Sequence, residues 1–199
     1  FKIGHEFFYN FGIDGYKKLY KICPRIFLDL KLHDIPNTVA KGLTAISKLK
    51  PIFTTIHISG GDKMHKASKI KSYKKMKVLG VTILTSLDKE QTFKYYKEKN
   101  INMLVTKFAR YAKNNNLNGL VCSPLEIAVV RKAIGNKMTL VVPGIRLENK
   151  SKNKKDDQKR TLTPKEAIKL GADYLVIGRP IVESKNPLET IKSINHSIK

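Results

Sequence analysis

The sequence predicts an α/β protein, a (β/α)8 barrel of the TIM type whose first strand is missing from the chain. Three observations carry that expectation. Short β-branched runs recur along the chain, amphipathic stretches fill the gaps between them, and polar residues gather where the runs end. The runs are almost continuously apolar, which suits strands buried on both faces of a parallel sheet. Gaps of this length fit helical crossovers, so the unit is a repeated βαβ.

Taken in order, the predicted strands are a short one in "FKIG" (1–4), then "RIFLDL" (25–30), "FTTIHI" (53–58), "KVLGVTIL" (77–84), "GLVCS" (119–123), "TLVVPG" (139–144) and "YLVIG" (174–178). Helical stretches between them include "TVAKGLTAISKLK", "DKEQTFKYYKEKN", "SPLEIAVVRKAIG" and "TPKEAIKLGA". Two helix starts are well marked. Ser123-Pro124 and Thr163-Pro164 each put a capping residue before a proline, with Glu126 and Glu166 three positions after the cap. A doubly wound sheet could hold seven such units, but no GxGxxG fingerprint follows the first strand, which weighs against a dinucleotide-binding sheet. Residues 147–160, "LENKSKNKKDDQKR", are polar and charged and read as a mobile surface loop.

At 199 residues and 41% hydrophobic, the chain suits one core and one domain, residues 1–199, incomplete at its N-terminal side. No apolar run approaches the ~20 residues that span a bilayer, and no secretory signal is present, so the expected location is cytoplasmic. Cys23 and Cys122 lack any metal-ligand or CxxC spacing and read as buried, reduced thiols. The net charge of +23 suggests a nucleic-acid partner. Its lysines, however, are spread from Lys2 to Lys199 rather than gathered with aromatics, which speaks against nucleic acid and for solvated faces.

The stretch "FLDLKLHDIPNT" (27–38) is the most informative. A buried strand delivers Asp29, Lys31 and Asp34 within six positions, and charges so placed must pair or remain costly. Polar residues recur at the other strand ends: His57 and Ser59, Thr85 and Ser86, Ser123, Pro143 to Arg146, and Gly178-Arg179. In a parallel barrel those ends form the rim that holds the active site. In "VIGRP" the glycine admits an anion to the backbone and Arg179 offers a planar fork to a phosphate. His5, His33 and His57 show no metal-ligand spacing and read as structural or as supports for the residues of the site.

With these residues placed, the chain resembles the orotidine 5′-phosphate decarboxylase family along essentially its whole length. The resemblance rests on "KIGHEFF", "FLDLKLHDIPNT", "HISGG", "VTILTSL", "VVPGIR", "DDQKR" and "GADYLVIGRP", in that order. Sister enzymes on the same barrel, the ketogulonate-phosphate decarboxylases and hexulose-phosphate synthases, share DxKxxD but not the IPNT continuation. The resemblance implies decarboxylation of orotidine 5′-monophosphate to UMP without metal or organic cofactor, in a homodimer with shared active sites. It assigns Lys31 as proton donor, Asp29 as the acid beside the substrate carboxylate, and Asp34 and Thr38 to the neighbouring subunit's site. Lys2 then joins the charged array and the ribose, Thr85 reads the pyrimidine edge, and Arg146, Gln158, Gly178 and Arg179 serve the phosphate. The family's first strand, with its ribose-binding aspartate, precedes the point at which this chain starts. The stretch from Arg146 to Gln158 is also longer and richer in lysine than the family's usual loop. Two alternatives remain open: a metal-dependent phosphosugar decarboxylase or aldolase on the same barrel, and a basic nucleic-acid-binding protein.

Overall fold

The structure, a computed structural model, describes residues 1–69, 75–147 and 161–198. Seven strands follow one another in chain order: β1 (Lys2–Ile3), β2 (Phe27–Leu32), β3 (Phe53–His57), β4 (Lys77–Val81), β5 (Gly119–Val121), β6 (Thr139–Pro143) and β7 (Tyr174–Val176). They form one sheet in the order β1-β2-β3-β4-β5-β6-β7. The pairings of β1 through β4, and of β6 with β7, are parallel. All seven predicted strands are present. The helices are α1 (His5–Ile22), α2 (Pro36–Ser47), α3 (Gly61–Ala67), α4 (Lys89–Tyr96), α5 (Ile101–Asn114), α6 (Ile127–Ile134), α7 (Pro164–Lys169), α8 (Arg179–Val182) and α9 (Pro187–Ser197).

The chain divides into two compact units, Phe1–Thr82 with Tyr111–Leu120, and Ile83–Arg110 with Val121–Lys199. In the first, Ile26, Leu28, Leu43, Ile56, Ile58, Met64 and Leu79 are fully buried, and Phe27 meets Phe53 edge-on at 5.8 Å. Each such side chain contributes about 1.5–3 kcal/mol by leaving water. Gly80 is needed on β4 because a Cβ there would lie 2.8 Å from the Ile58 side chain. The helix α1 is bent at Gly12, whose φ of 55° breaks the helical run. In the second unit, Ile127, Val130, Leu140, Val142, Ile145 and Ala167 form the buried set.

Local signals are met in some places and shifted in others. At Thr163 the capping box is complete: Glu166 N–H donates to Thr163 Oγ1 at 3.3 Å and Thr163 N–H donates to Glu166 Oε2 at 2.9 Å. At Ser123 the chain first makes a single 3₁₀ turn, Pro124–Glu126, and only then α6. There Ser123 N–H donates to Glu126 Oε2 at 3.1 Å. Cys122 is buried as expected, but Cys23 is only half-buried, because it caps the C-terminal end of α1 rather than entering the core. The predicted loop at 147–160 lies, apart from Leu147, outside the described residues.

Candidate active site

In the first unit, β2 carries the charged group predicted from "FLDLKLHDIPNT". The Asp29 side chain is 9% exposed; its Oδ2 accepts from Lys31 Nζ at 2.8 Å and from Lys2 Nζ at 3.0 Å. The two lysine side chains keep about a third of their surface, 30% for Lys31 and 33% for Lys2. Burial acts to raise the Asp29 pKa, but Lys2 and Lys31 together outweigh it and hold the carboxyl below its ordinary value. The Asp29 carboxyl is thus favoured in its ionised form, and two lysines face one acid.

The backbone beneath this cluster is irregular. The register of β2 on β3 passes from Leu28 opposite Thr54 to Leu32 opposite Ile56, so Asp29, Leu30 and Lys31 stand against Thr55 alone. Within that bulge Lys31 has φ 47°, a left-handed conformation that costs a residue with a Cβ about 1–3 kcal/mol. A bulge of this kind re-aims side chains. Lys31 Nζ meets Asp29, two positions earlier on the same strand. Beside it, the His33 and His57 rings lie 5.2 Å apart, and Ser59 Oγ is 3.5 Å from His33 Nε2. Burial first, then the neighbouring His33 and Lys31 charges, push the His57 pKa down, with Asp29 opposing.

Asp34 and Thr38 stand elsewhere. Both are exposed, and the Asp34 carboxylate accepts from the Ile35 N–H at 2.6 Å. The second unit holds Thr85, Arg146, Gly178 and Arg179. Thr85, in the stretch of chain from β4 to α4, is half-buried. Arg146 follows Gly144, whose φ is 81°, and its N–H donates to Leu162 O at 3.0 Å beside the Ile145–Leu162 bridge. Gly178 caps α8 and accepts from the Ile181 and Val182 N–H groups at 2.9 and 3.0 Å; Arg179 opens that turn and is exposed. Gln158 lies outside the described residues. Sequence reasoning missed Thr55, because a threonine in "FTTIHI" reads only as a good strand former.

The family described as Orotidine 5′-phosphate decarboxylase / HUMPS matches residues 1–194. The chain belongs to that family. An orotidine 5′-phosphate decarboxylase of Wolbachia pipientis subsp. Culex pipiens (strain wPip) is 46% identical over 198 residues, covering 99% of this chain and 86% of that protein. The Aquifex aeolicus (strain VF5) enzyme of the same name is 45% identical over 194 residues, 96% of this chain and 82% of its own. Among solved structures, the orotidine 5′-phosphate decarboxylase of Lactobacillus acidophilus is similar with a TM-score of 0.83 at 36% identity, over 100% of this chain and 86% of that one. The fold class is accordingly the TIM-type (β/α)8 barrel. No helix among the described residues is long and apolar enough to cross a membrane.

Proposed function

We infer that this chain decarboxylates orotidine 5′-monophosphate to UMP and CO2 in pyrimidine biosynthesis, as a carboxy-lyase of the cytoplasm. The observation that carries this is the Lys2–Asp29–Lys31 cluster on a bulged strand in a chain whose named relatives are decarboxylases of that nucleotide. Loss of CO2 from C6 of the pyrimidine leaves an electron pair in the ring plane, where the π system delocalises it poorly. A fixed cation at that carbon, in a water-poor site, is the direct electrostatic remedy. Lys31 supplies the cation and then the proton, and Asp29, paired with it at 2.8 Å, holds it in place. Lys2 reaches the ribose side of the same array.

Thr85 reads the pyrimidine edge in this scheme, and Arg146, Gln158, Gly178 and Arg179 hold the phosphate. Binding energy from that remote group can be used at the reacting carbon. The reaction needs no metal or organic cofactor. Asp34 and Thr38, exposed on their own subunit, complete the neighbour's site in a homodimer. Light scattering on active protein should then return the mass of two chains; full activity at the mass of one would contradict the shared site.

The test of the function is product identification. The chain is incubated with orotidine 5′-monophosphate in EDTA, and UMP is sought by chromatography. UMP formation that persists in chelator supports the assignment. Turnover of a ketogulonate phosphate instead, restored only by added divalent metal, would replace it with the sister activity.

A further inference from the structure

Thr54 and Thr55 are adjacent on β3 and both are fully buried, yet their hydroxyls are used differently. Among the described residues, Thr54 Oγ1 has no hydrogen-bond partner. Thr55 Oγ1 has two: it donates to Asp29 Oδ1 at 2.8 Å and accepts from the Lys31 backbone N–H at 2.9 Å. It is also the residue of β3 that stands alone against the bulge Asp29-Leu30-Lys31. We propose that Thr55 is a positioning residue for the reaction, one hydroxyl fixing both the carboxylate that pairs with Lys31 and the left-handed backbone from which Lys31 projects.

The geometry accounts for two features at once. Asp29 divides its oxygens, Oδ2 to the two ammonium groups and Oδ1 to Thr55, so the carboxylate cannot rotate without losing one set. The Lys31 N–H, turned out of the β2–β3 ladder by the bulge, would be an orphan donor without the Thr55 oxygen. That bond offsets part of the cost of the φ of 47° at Lys31. A valine at 55 keeps the shape and the strand propensity but removes both bonds. A serine keeps the hydroxyl. The role in turnover rests on the function assigned to Lys31 above; the positioning of Asp29 does not.

The experiment compares the unaltered chain with Thr55→Val, Thr55→Ser and, as a matched control, Thr54→Val. Two readouts are taken: kcat and KM for orotidine 5′-monophosphate, and the titration of the Asp29 carboxyl by carbon-13 NMR. Removing a donor from a carboxylate raises its pKa, so in Thr55→Val the Asp29 midpoint should move up. Displacing Lys31 from its productive position should lower kcat by about 10- to 100-fold, with KM changed far less. Thr55→Ser should recover most of both effects and Thr54→Val should show neither. An unmoved Asp29 midpoint with an unchanged kcat in Thr55→Val overturns the proposal, as does a Thr54→Val control equally impaired. If Thr55→Val does not fold, hydrogen exchange on the unaltered chain decides: a protected Lys31 amide upholds the bond, and one exchanging like an unbonded amide refutes it. Should the unaltered chain leave orotidine 5′-monophosphate intact, the assigned function fails by itself, and the Asp29 titration still upholds or refutes the role of Thr55.

Discussion

Two places in this molecule gather charge beside parallel strands, and they do so in opposite styles. On β2, Asp29 binds two lysines that each keep about a third of their surface, over a bulged backbone with Lys31 in a left-handed conformation. On α6, Arg131 is only 14% exposed and spends its guanidinium on carbonyls: Gly171 O at 3.0 Å, Gly135 O at 2.8 Å and Met138 O at 3.0 Å. It also donates to Asp173 Oδ2 at 2.8 Å, the same oxygen that accepts the Leu140 N–H at 2.7 Å. Arg131 thus ties the end of its own helix to the approaches of β6 and β7, in a helical backbone and with these bonds directed to the protein itself. The β2 cluster leaves about a third of each lysine side chain exposed and holds Lys31 in a left-handed backbone. Burial and ion pairing are common to both; the second lysine on one carboxylate and the left-handed residue set the β2 cluster apart.

The contrast can be broken by exchanging the two outcomes. Asp29→Asn should lower kcat by about 10³-fold, since Lys31 loses the carboxylate that holds it in place, while the melting temperature falls by a proportionately smaller amount. Equal loss of fold and activity would make the β2 cluster a structural device like the other. Arg131→Ala should do the reverse. It abandons several carbonyls and one carboxylate, costing about 2–4 kcal/mol in a denaturant melt, with kcat per folded molecule unchanged. A stable but inactive Arg131→Ala chain would contradict the division of labour.

Acidification gives a smaller and graded test. Burial pushes the pKa values of His57 and His65 below the ordinary 6.5, so the unfolded chain takes up protons there before the folded one does. Their contribution to stability is whole above about pH 6.5 and declines as the pH falls through that value. Asp29 is depressed below 3.8, so its contribution is whole above that value and is lost only at lower pH. Melting temperature should therefore fall in two stages on acidification, the first reduced in His65→Asn and the second in Asp29→Asn. A single stage near about pH 4 would show that the two histidines add nothing to the pH dependence.

Much of this was legible in the sequence, for particular reasons. The β-branched runs located all seven strands because a two-sided parallel sheet leaves little room for polar residues within them. Thr163-Pro164 with Glu166 announced its capping box correctly, since that signal is local. "DLKLHDIPNT" announced that charges cluster, and the pairing of Lys2 with Asp29 followed from the resemblance. What the sequence did not show depends on register. The bulge, the φ of Lys31 and the double use of Thr55 arise from how β2 meets β3, and no residue type in either strand signals that shift. Arg131 escaped for a related reason: on α6 it reads as a basic residue in a last helical turn, and its carbonyl partners lie as far as 40 positions away.

The most direct test of the part given to Lys31 sets the unaltered chain beside Lys31→Ala, following the loss of orotidine 5′-monophosphate absorbance in EDTA, with circular dichroism on both. Turnover by the unaltered chain, a loss of at least about 10³-fold in the variant, and matching spectra are expected. Comparable turnover by a folded Lys31→Ala chain would show that the β2 lysine is not the group that meets the reacting carbon.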